Sequence, residues 1–109
     1  MMNEAQKPTE PAATAVWENL RRVVDPELHC NMVDLGLVYG VEMREGTARL
    51  TVTLTSPGCP YGPWLLHEMR EAAAAASGVT AVELDVVWDP PWSPARMTEE
   101  ARLELGFDV

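Results

Sequence analysis

The sequence predicts an α+β fold in which a small mixed sheet carries helices packed on one face. Two segments of alternating apolar residues, at 35–43 and 47–55, flank the pair Glu45-Gly46, a pattern typical of a hairpin. A helical pattern then separates this hairpin from a third alternating segment at 82–88. A strand that follows a crossover helix returns to the same sheet, so the hairpin and the third strand together form the predicted sheet.

The expected order of elements is helix, strand, strand, helix, strand and short helix. Residues 1–11 are expected to form a flexible N-terminal tail and residues 12–109 a single domain, which suits a chain of 109 residues. Thr9 is expected to cap the first helix, and Asp25-Pro26 to end it, because the residue before a proline disfavours the helical conformation. In the second strand, the aliphatic residues are expected to face the core and the threonines the opposite side.

The second helix is predicted after a loop at residues 56–63, with Leu65 and Met69 on its buried stripe and Gly78 as its stop. Residues 89–94 hold three prolines, so we expect a stiff loop rather than a helix or a central strand. Thr98 is predicted to cap a short last helix, which Gly106 closes.

The charge balance excludes some classes of partner. With 17 acidic and 8 basic residues the net charge is -9, which argues against nucleic acid or an anionic membrane as the main partner. No segment has transmembrane length, and we do not expect the polar first 13 residues to form a signal peptide. Two cysteines in such a chain are expected to be reduced thiols, which places the protein in the cytoplasm.

Cys59 is the most informative residue, because it lies between a strand pattern and a helix pattern. The free backbone donors and the dipole at a helix start favour the thiolate, which is a nucleophile and a soft-metal ligand. Thr55 or Ser56 is expected to cap the helix and to hydrogen-bond the thiolate, and Gly58 to let backbone amides face the sulfur. By residue type alone, an ordinary loop cysteine is as well supported as a functional thiol.

Two carboxylates flank a proline at Asp25-Pro26-Glu27. They could hold a metal, act as acid and base, or bind a backbone segment. A helix stop with solvated charges explains the same residues, and we favour it because Asp-Pro is a common break between elements.

His29 and Cys30, taken with Cys59 and His67, provide two thiols and two imidazoles, a number sufficient for tetrahedral zinc. The spacing is not that of a zinc ligand set, because it contains no C-x-x-C pair. We therefore favour Cys30 as a buried, small apolar residue and His67 as an exposed helix residue.

The segment Trp88-Asp89-Pro90-Pro91-Trp92 allows two interpretations. The tryptophans either close one end of the core or form a surface that binds a partner, in which Trp88, Asp89 and Trp92 take part. Residue type favours burial, because large aromatic side chains mainly bury.

Four motifs in order resemble the small metal–sulfur cluster assembly family that includes SufT and PaaD, and the domain that precedes some Mrp/ApbC-type ATPases. The resemblance covers about residues 12 to 106. The motifs are Asp25-Pro26-Glu27-Leu28, Val33-Asp34-Leu35-Gly36-Leu37-Val38-Tyr39, Thr53-Leu54-Thr55-Ser56-Pro57-Gly58-Cys59-Pro60 and Trp88-Asp89-Pro90-Pro91-Trp92.

This resemblance implies an iron–sulfur cluster assembly domain fold, similar to the carboxy-terminal domain of NifU, and a role in maturing iron–sulfur proteins. It implies that Cys59 is the functional thiol. It also implies that the Asp25 and Cys59 loops meet at one end of the sheet. The residues implied to line that site are Asp25, Glu27, Leu28, Thr55 and Ser56.

Three departures from the family pattern bear on this interpretation. His29-Cys30 stands where family members commonly have a small or apolar pair, a difference that either adds a second ligand near Cys59 or has no functional meaning. Ser56 stands where threonine is frequent and keeps the hydroxyl. PaaD proteins usually carry a cysteine-rich extension, and we do not expect the PaaD subgroup because the sequence ends at Val109.

Our first hypothesis is a non-enzymatic factor in which Cys59 transiently contacts iron, an iron–sulfur cluster or a client thiol, with no tightly bound cofactor. Because clusters usually need four ligands, a homodimer, an assembly protein, a client apo-protein or Cys30 must supply the others. The alternatives are a thiol enzyme with Cys59 as nucleophile and Asp25 or Glu27 as base or orienter, and an adaptor that binds partners through its tryptophan loop.

Overall fold

The protein is described by a computed structural model that covers residues 10–55, 58 and 60–106. The predicted element order and the α+β class are confirmed. The elements are α1 at Pro11–Leu20, β1 at Val38–Arg44, β2 at Thr47–Val52, α2 at Gly62–Ala74, β3 at Ala81–Val86 and α3 at Glu99–Leu105, with a short 3-10 turn at Pro94–Arg96.

The sheet has the strand order β1-β2-β3. Strands β1 and β2 are antiparallel, and Glu45 and Gly46 join them with φ values of 51° and 85°, as a two-residue hairpin turn requires. Strand β3 lies parallel to β2, because α2 carries the chain back across the sheet. The N–H of Thr80 donates to the carbonyl of Gly46 at 2.7 Å, so the start of β3 is fixed to the hairpin turn. The predicted mixed sheet is therefore confirmed.

The hydrophobic core lies between the sheet and the two longer helices. Helix α1 contacts β1, α2 contacts β3, and the two helices contact each other. The opposite face of the sheet is charged, and Arg49 pairs there with Asp85 at 3.1 Å. None of the helices formed by the described residues has both the length and the apolar character needed to cross a membrane. The completely buried core side chains include Val16, Leu20, Leu50, Val52, Leu65 and Met69.

Helix α1 ends at Leu20, so the expectation that it continues to Asp25-Pro26 is wrong. Val23 and Val24 are β-branched and favour extended backbone, in which Val24 bridges to Asn31. At the other end, the expected cap Thr9 lies outside the described residues, and Glu10 holds the N-cap position without a side-chain hydrogen bond.

The strand boundaries differ in two places from the alternation in the sequence. The first strand begins at Val38 rather than Leu35, because residues 32–36 form turns in which Gly36 has a φ of 79°. Strand β2 ends at Val52, and Thr53 is completely buried although it belongs to the threonine side. Its N–H donates to the carbonyl of Leu37 at 2.9 Å, which draws this residue into the interior.

The ends of α2 and β3 also differ from the expectation. The loop before α2 ends at Tyr61, because Gly62 and Pro63 already belong to the first turn of the helix, where proline is well tolerated. Strand β3 ends at Val86, before Trp88. In the last helix the prediction holds: Thr98 accepts a hydrogen bond from the N–H of Ala101 and Gly106 closes the helix.

Candidate functional site

The Asp25 loop, residues 25–31, is organised around a buried carboxylate. Asp25 is 2% exposed, and its Oδ1 accepts the N–H of Glu27 at 2.8 Å and that of Leu28 at 2.9 Å. Pro26 has no N–H, so this oxygen satisfies the first two backbone donors that follow the proline. The carboxylate thus fixes the loop that it begins.

The backbone closes the same loop. The N–H of Asp25 donates to the carbonyl of Cys30 at 2.9 Å, and the N–H of His29 donates to the carbonyl of Asp25 at 2.8 Å. His29 takes a φ of 58°, which lets the chain reverse. The favoured interpretation of two solvated charges at a helix stop is wrong for Asp25, which is buried, whereas Glu27 is exposed as that interpretation expects.

Tyr61 connects the Asp25 loop to the start of α2. Its hydroxyl lies 2.8 Å from Oε1 of Glu27 and 3.4 Å from Oδ1 of Asp25. Tyr61 occupies the N-cap position of α2 and follows Cys59 by two residues in the sequence. Sequence reasoning missed this residue. Tyr61 lies 34 residues from Glu27 and 36 residues from Asp25 along the chain, and no local pattern predicts contacts over such a separation.

Two of the predicted site residues, Cys59 and Ser56, lie outside the described residues. Leu28 is half-buried and packs against the core, and Thr55 is exposed at a bend beyond β2. Tyr61 occupies the N-cap position, so the prediction that Thr55 caps α2 is wrong, and the same prediction for Ser56 lies outside the described residues. The structure brings Asp25, Glu27 and Leu28 into one loop.

Cys30 is half-buried against the core, and it lines an open groove of about 570 Å³ whose other walls come from the 31–34 turn and α3. Burial chiefly, and then the negative charge of Asp34, raises the pKa of the Cys30 thiol. A raised pKa disfavours the thiolate, which is the form that metals bind. The groove is lined by Cys30, Asp34, Glu100, Ala101, Leu103 and Glu104.

The zinc interpretation finds no support in the part of the chain that the structure describes. His67 is exposed on α2, as the structural interpretation expects, and His29 is exposed in the Asp25 loop. Within residues 10–55, 58 and 60–106, no three histidine, cysteine, aspartate or glutamate side chains are grouped so that they could hold a metal ion.

The Trp88 loop, residues 88–94, is held by side chains from its own segment and from β1. The indole N–H of Trp92 donates to the carbonyl of Leu35 at 2.7 Å, and the hydroxyl of Tyr39 donates to the carbonyl of Pro90 at 2.8 Å. Trp92 is thus half-buried with its polar atom satisfied, whereas Trp88 is 45% exposed and Asp89 is exposed. Burial of both tryptophans, which residue type favours, is therefore wrong for Trp88.

The Val33-Asp34-Leu35-Gly36 motif serves mainly to fix the C-terminal part of the chain. The backbone carbonyl of Asp34 accepts a hydrogen bond from the N–H of Thr98 at 2.9 Å. Oδ1 of the Asp34 side chain accepts one from Nη1 of Arg21 at 3.0 Å. A side chain at Gly36 would collide with the backbone carbonyl of Arg96. This part of the sequence pattern is therefore explained by packing.

Comparison with known proteins agrees with the motif order. The profile of a family described as iron–sulfur cluster assembly protein matches residues 13–84. The Fe-S protein maturation auxiliary factor YitW of Bacillus subtilis is 46% identical over 89 residues, which cover 81% of this chain and 87% of that protein. The Fe-S protein maturation auxiliary factor SufT of Staphylococcus aureus is 40% identical over 85 residues, 77% of this chain and 97% of that protein.

The fold has a close counterpart among solved structures. A domain of unknown function from Bacillus anthracis superposes with a TM-score of 0.83 at 37% sequence identity, covering 88% of this chain and 92% of that one. The resemblance that the four motifs carry, and the fold that it implies, are therefore confirmed.

Proposed function

The chain belongs to the iron–sulfur cluster assembly protein family, and from this premise we propose that it acts as a non-enzymatic auxiliary factor in the maturation of iron–sulfur proteins. The observation that carries the proposal is the contact of the Tyr61 hydroxyl with Glu27 at 2.8 Å, because it joins the Asp25 loop to the helix that follows Cys59. Both motifs lie within the matched segment, residues 13–84.

We assign the central contact to Cys59, as a transient ligand of iron or of an iron–sulfur cluster, or as a contact to a client thiol. Iron is in this view a cargo and not a resident cofactor. One thiolate leaves most of the coordination sites of a cluster open, so a client apo-protein, an assembly protein or a second copy of this chain completes the set. Cys30 is a weaker candidate, because its raised pKa disfavours the thiolate that a metal binds.

The carboxylates of the Asp25 loop then have different tasks. Oδ1 of Asp25 already accepts two backbone N–H groups, so this residue is suited to fixing the loop and not to accepting a proton from a substrate. Glu27 is exposed and accepts a hydrogen bond from the Tyr61 hydroxyl, which supports a lining role for it. We assign the same role to Leu28, Thr55 and Ser56. This division of tasks favours a carrier over a thiol enzyme, which needs a free base next to its nucleophile.

The partners we propose are iron–sulfur assembly proteins and client apo-proteins, in the cytoplasm, where thiols stay reduced. The exposed Trp88, next to Asp89, is suited to contact one of them, since tryptophan is favoured at the centre of protein interfaces. The bond from the Trp92 indole to the carbonyl of Leu35 holds the loop that carries Trp88.

The experiment is anaerobic maturation of an apo-[4Fe–4S] dehydratase, with the full chain added as wild type, as Cys59→Ser or as Cys30→Ser. We expect Cys59→Ser to lose the stimulation of client activity and Cys30→Ser to keep it. Cys30→Ser is the matched control, because it removes the other thiol of the chain by the same substitution.

Equal client maturation by wild type and Cys59→Ser would refute the thiol role. If Trp88→Ala then loses the stimulation while Cys59→Ser retains it, the chain is an adaptor that acts through the Trp88 loop. Because Trp88 is 45% exposed, we expect its replacement to leave the fold intact, and a urea unfolding curve of each variant checks this.

A further inference from the structure

The outer edge of β3 presents unpaired backbone groups. Strand β3 pairs with β2 on one side only, and Val87 at its end donates its N–H to the carbonyl of Val52 at 2.8 Å. In a parallel ladder, the N–H and C=O of one residue point to the same side, and successive residues alternate between sides. Since Val87 points toward β2, the backbone groups of Val82, Leu84 and Val86 point away from the sheet.

Little of this edge is covered in the part of the chain that the structure describes. Nη1 of Arg70 donates to the carbonyl of Val82 at 3.2 Å and so covers the beginning of the edge. Within residues 10–55, 58 and 60–106, no backbone or side-chain group bonds the outward N–H and C=O of Leu84 and Val86. These two residues therefore offer two donors and two acceptors to an incoming strand.

The other edge of the sheet differs in regularity. Strand β1 changes register between Val38 and Gly40, and such a bulge twists an edge away from further pairing. Strand β3 keeps one register over its six residues and contains neither proline nor lysine, the residues that usually block an exposed edge.

The two faces of β3 set the chemistry of an added strand. Val82, Leu84 and Val86 are half-buried against the core on the helix side, so an added strand would place apolar side chains beside them. Glu83 and Asp85 are exposed on the opposite face, where Asp85 is paired with Arg49 through Oδ2. Glu83 is therefore the carboxylate that favours a cation among the alternate side chains of the added strand.

A second copy of this chain is a poor occupant of the edge. Two β3 strands paired about a two-fold axis through Leu84 would set Glu83 of one copy opposite Asp85 of the other. Like charges directly opposite each other destabilise a strand pair. Arg49 already pairs with Asp85, so Glu83 is the carboxylate that attracts a basic segment, and the chain as a whole carries a net charge of -9.

We infer that the β3 edge binds an extended segment of another protein, in which apolar and basic residues alternate, by adding it to the sheet as a fourth strand. The backbone of Leu84 and Val86 supplies the hydrogen bonds, and Glu83 selects the charge. The inference is independent of the role proposed for Cys59, because it involves neither the Asp25 loop nor a thiol.

The test uses the full chain, labelled with ¹⁵N, and two synthetic peptides, acetyl-KVKVKVK-amide and acetyl-EVEVEVE-amide. We expect the lysine peptide to bind, to protect the N–H groups of Leu84 and Val86 from hydrogen exchange, and to lose affinity as salt is added. The glutamate peptide is expected not to bind. Equal binding of the two peptides, or protection confined to other residues, would overturn the inference.

Two variants separate backbone pairing from charge. Val86→Pro removes one outward N–H and leaves the bonds to β2 in place. We therefore expect its affinity for the lysine peptide to be about tenfold lower than that of the control Val86→Ala. A tenfold change corresponds to about 1.4 kcal/mol. Glu83→Lys lies on the exposed face and is expected to reverse the preference toward the glutamate peptide. An unchanged preference in Glu83→Lys would refute charge selection even if Val86→Pro failed to fold.

Discussion

The Asp25 loop and the Trp88 loop each contain an Asp-Pro pair, and different forces hold them in place. In the first loop, Asp25 is buried and bonds the N–H groups that follow its own proline. In the second, Asp89 is exposed, and the loop is held by the Trp92 indole and the Tyr39 hydroxyl. The bonds within the Asp25 loop satisfy its carboxylate, which can therefore lie in the interior. The Trp88 loop is held by bonds to distant residues, and Trp88 itself stays at the surface.

This difference suggests that the two loops contribute differently to the proposed role. A loop fixed by its own carboxylate keeps one shape and can hold site-lining groups in position beside α2. A loop held at Trp92 and Pro90 keeps an aromatic side chain exposed next to a fixed point, which is the arrangement that a partner contact needs. Substitutions in the two loops should therefore separate stability from partner binding.

The largest effect is expected for Asp25→Ala. The variant leaves two backbone donors without their buried acceptor, so the free energy of unfolding should fall by about 3 kcal/mol. Asp89→Ala is the matched control and should change it by less than about 0.5 kcal/mol, because that carboxylate is exposed. Urea unfolding midpoints at constant slope measure both.

Asp25→Asn sharpens the same comparison, because asparagine keeps an oxygen that can accept the two N–H groups. Its stability should lie between those of wild type and Asp25→Ala. If Asp25→Ala and Asp89→Ala had the same unfolding midpoint, the two Asp-Pro pairs would be equivalent and the comparison would fail.

An intermediate effect is expected for Trp92→Phe in the second loop. Phenylalanine keeps the ring but loses the N–H that donates to the carbonyl of Leu35, which should cost about 1.5 kcal/mol. Trp88→Phe makes the same chemical change at a 45% exposed ring and should leave the unfolding midpoint unchanged. Equal losses in both variants would show that Trp88 is as structural as Trp92.

The features that the sequence predicted correctly are those set by neighbouring residues. Alternation predicted the strands, Glu45-Gly46 the hairpin turn, and Thr98 with Gly106 the ends of α3, because each depends on the conformations of a few consecutive residues. The end of α1 was predicted at Asp25-Pro26 but lies at Leu20. Val23 and Val24 favour extended backbone, so the helix ends before it reaches the proline.

The candidate site was predictable only in part, for a related reason. The resemblance grouped Asp25, Glu27 and Leu28, but the Tyr61 contact spans 34 residues and the Trp92 contact 57. Such bonds depend on how whole helices and strands pack against each other. A single sequence does not reveal that packing until the fold is known. The burial of Asp25 was missed likewise, because a carboxylate beside a proline is usually a solvated turn residue.

The smallest and most local effect concerns Cys30, which closes the Asp25 loop through its carbonyl. Burial and the charge of Asp34 raise the pKa of this thiol, so at neutral pH its thiolate fraction is lower than that of a free thiol.

In a Cys59→Ser background, where Cys30 is the single thiol, we expect slow alkylation by iodoacetamide and an inflection of the rate above the pH at which a free thiol titrates. Adding Asp25→Ala opens the loop and should lower that inflection, whereas Trp88→Phe in the other loop should not move it. If the alkylation rate of the Cys59→Ser protein, with Asp25 in place, already inflected at the pH at which a free thiol titrates, the prediction would be wrong. The loop and its groove would then be open to water, and Asp25 would not shield the Cys30 thiol.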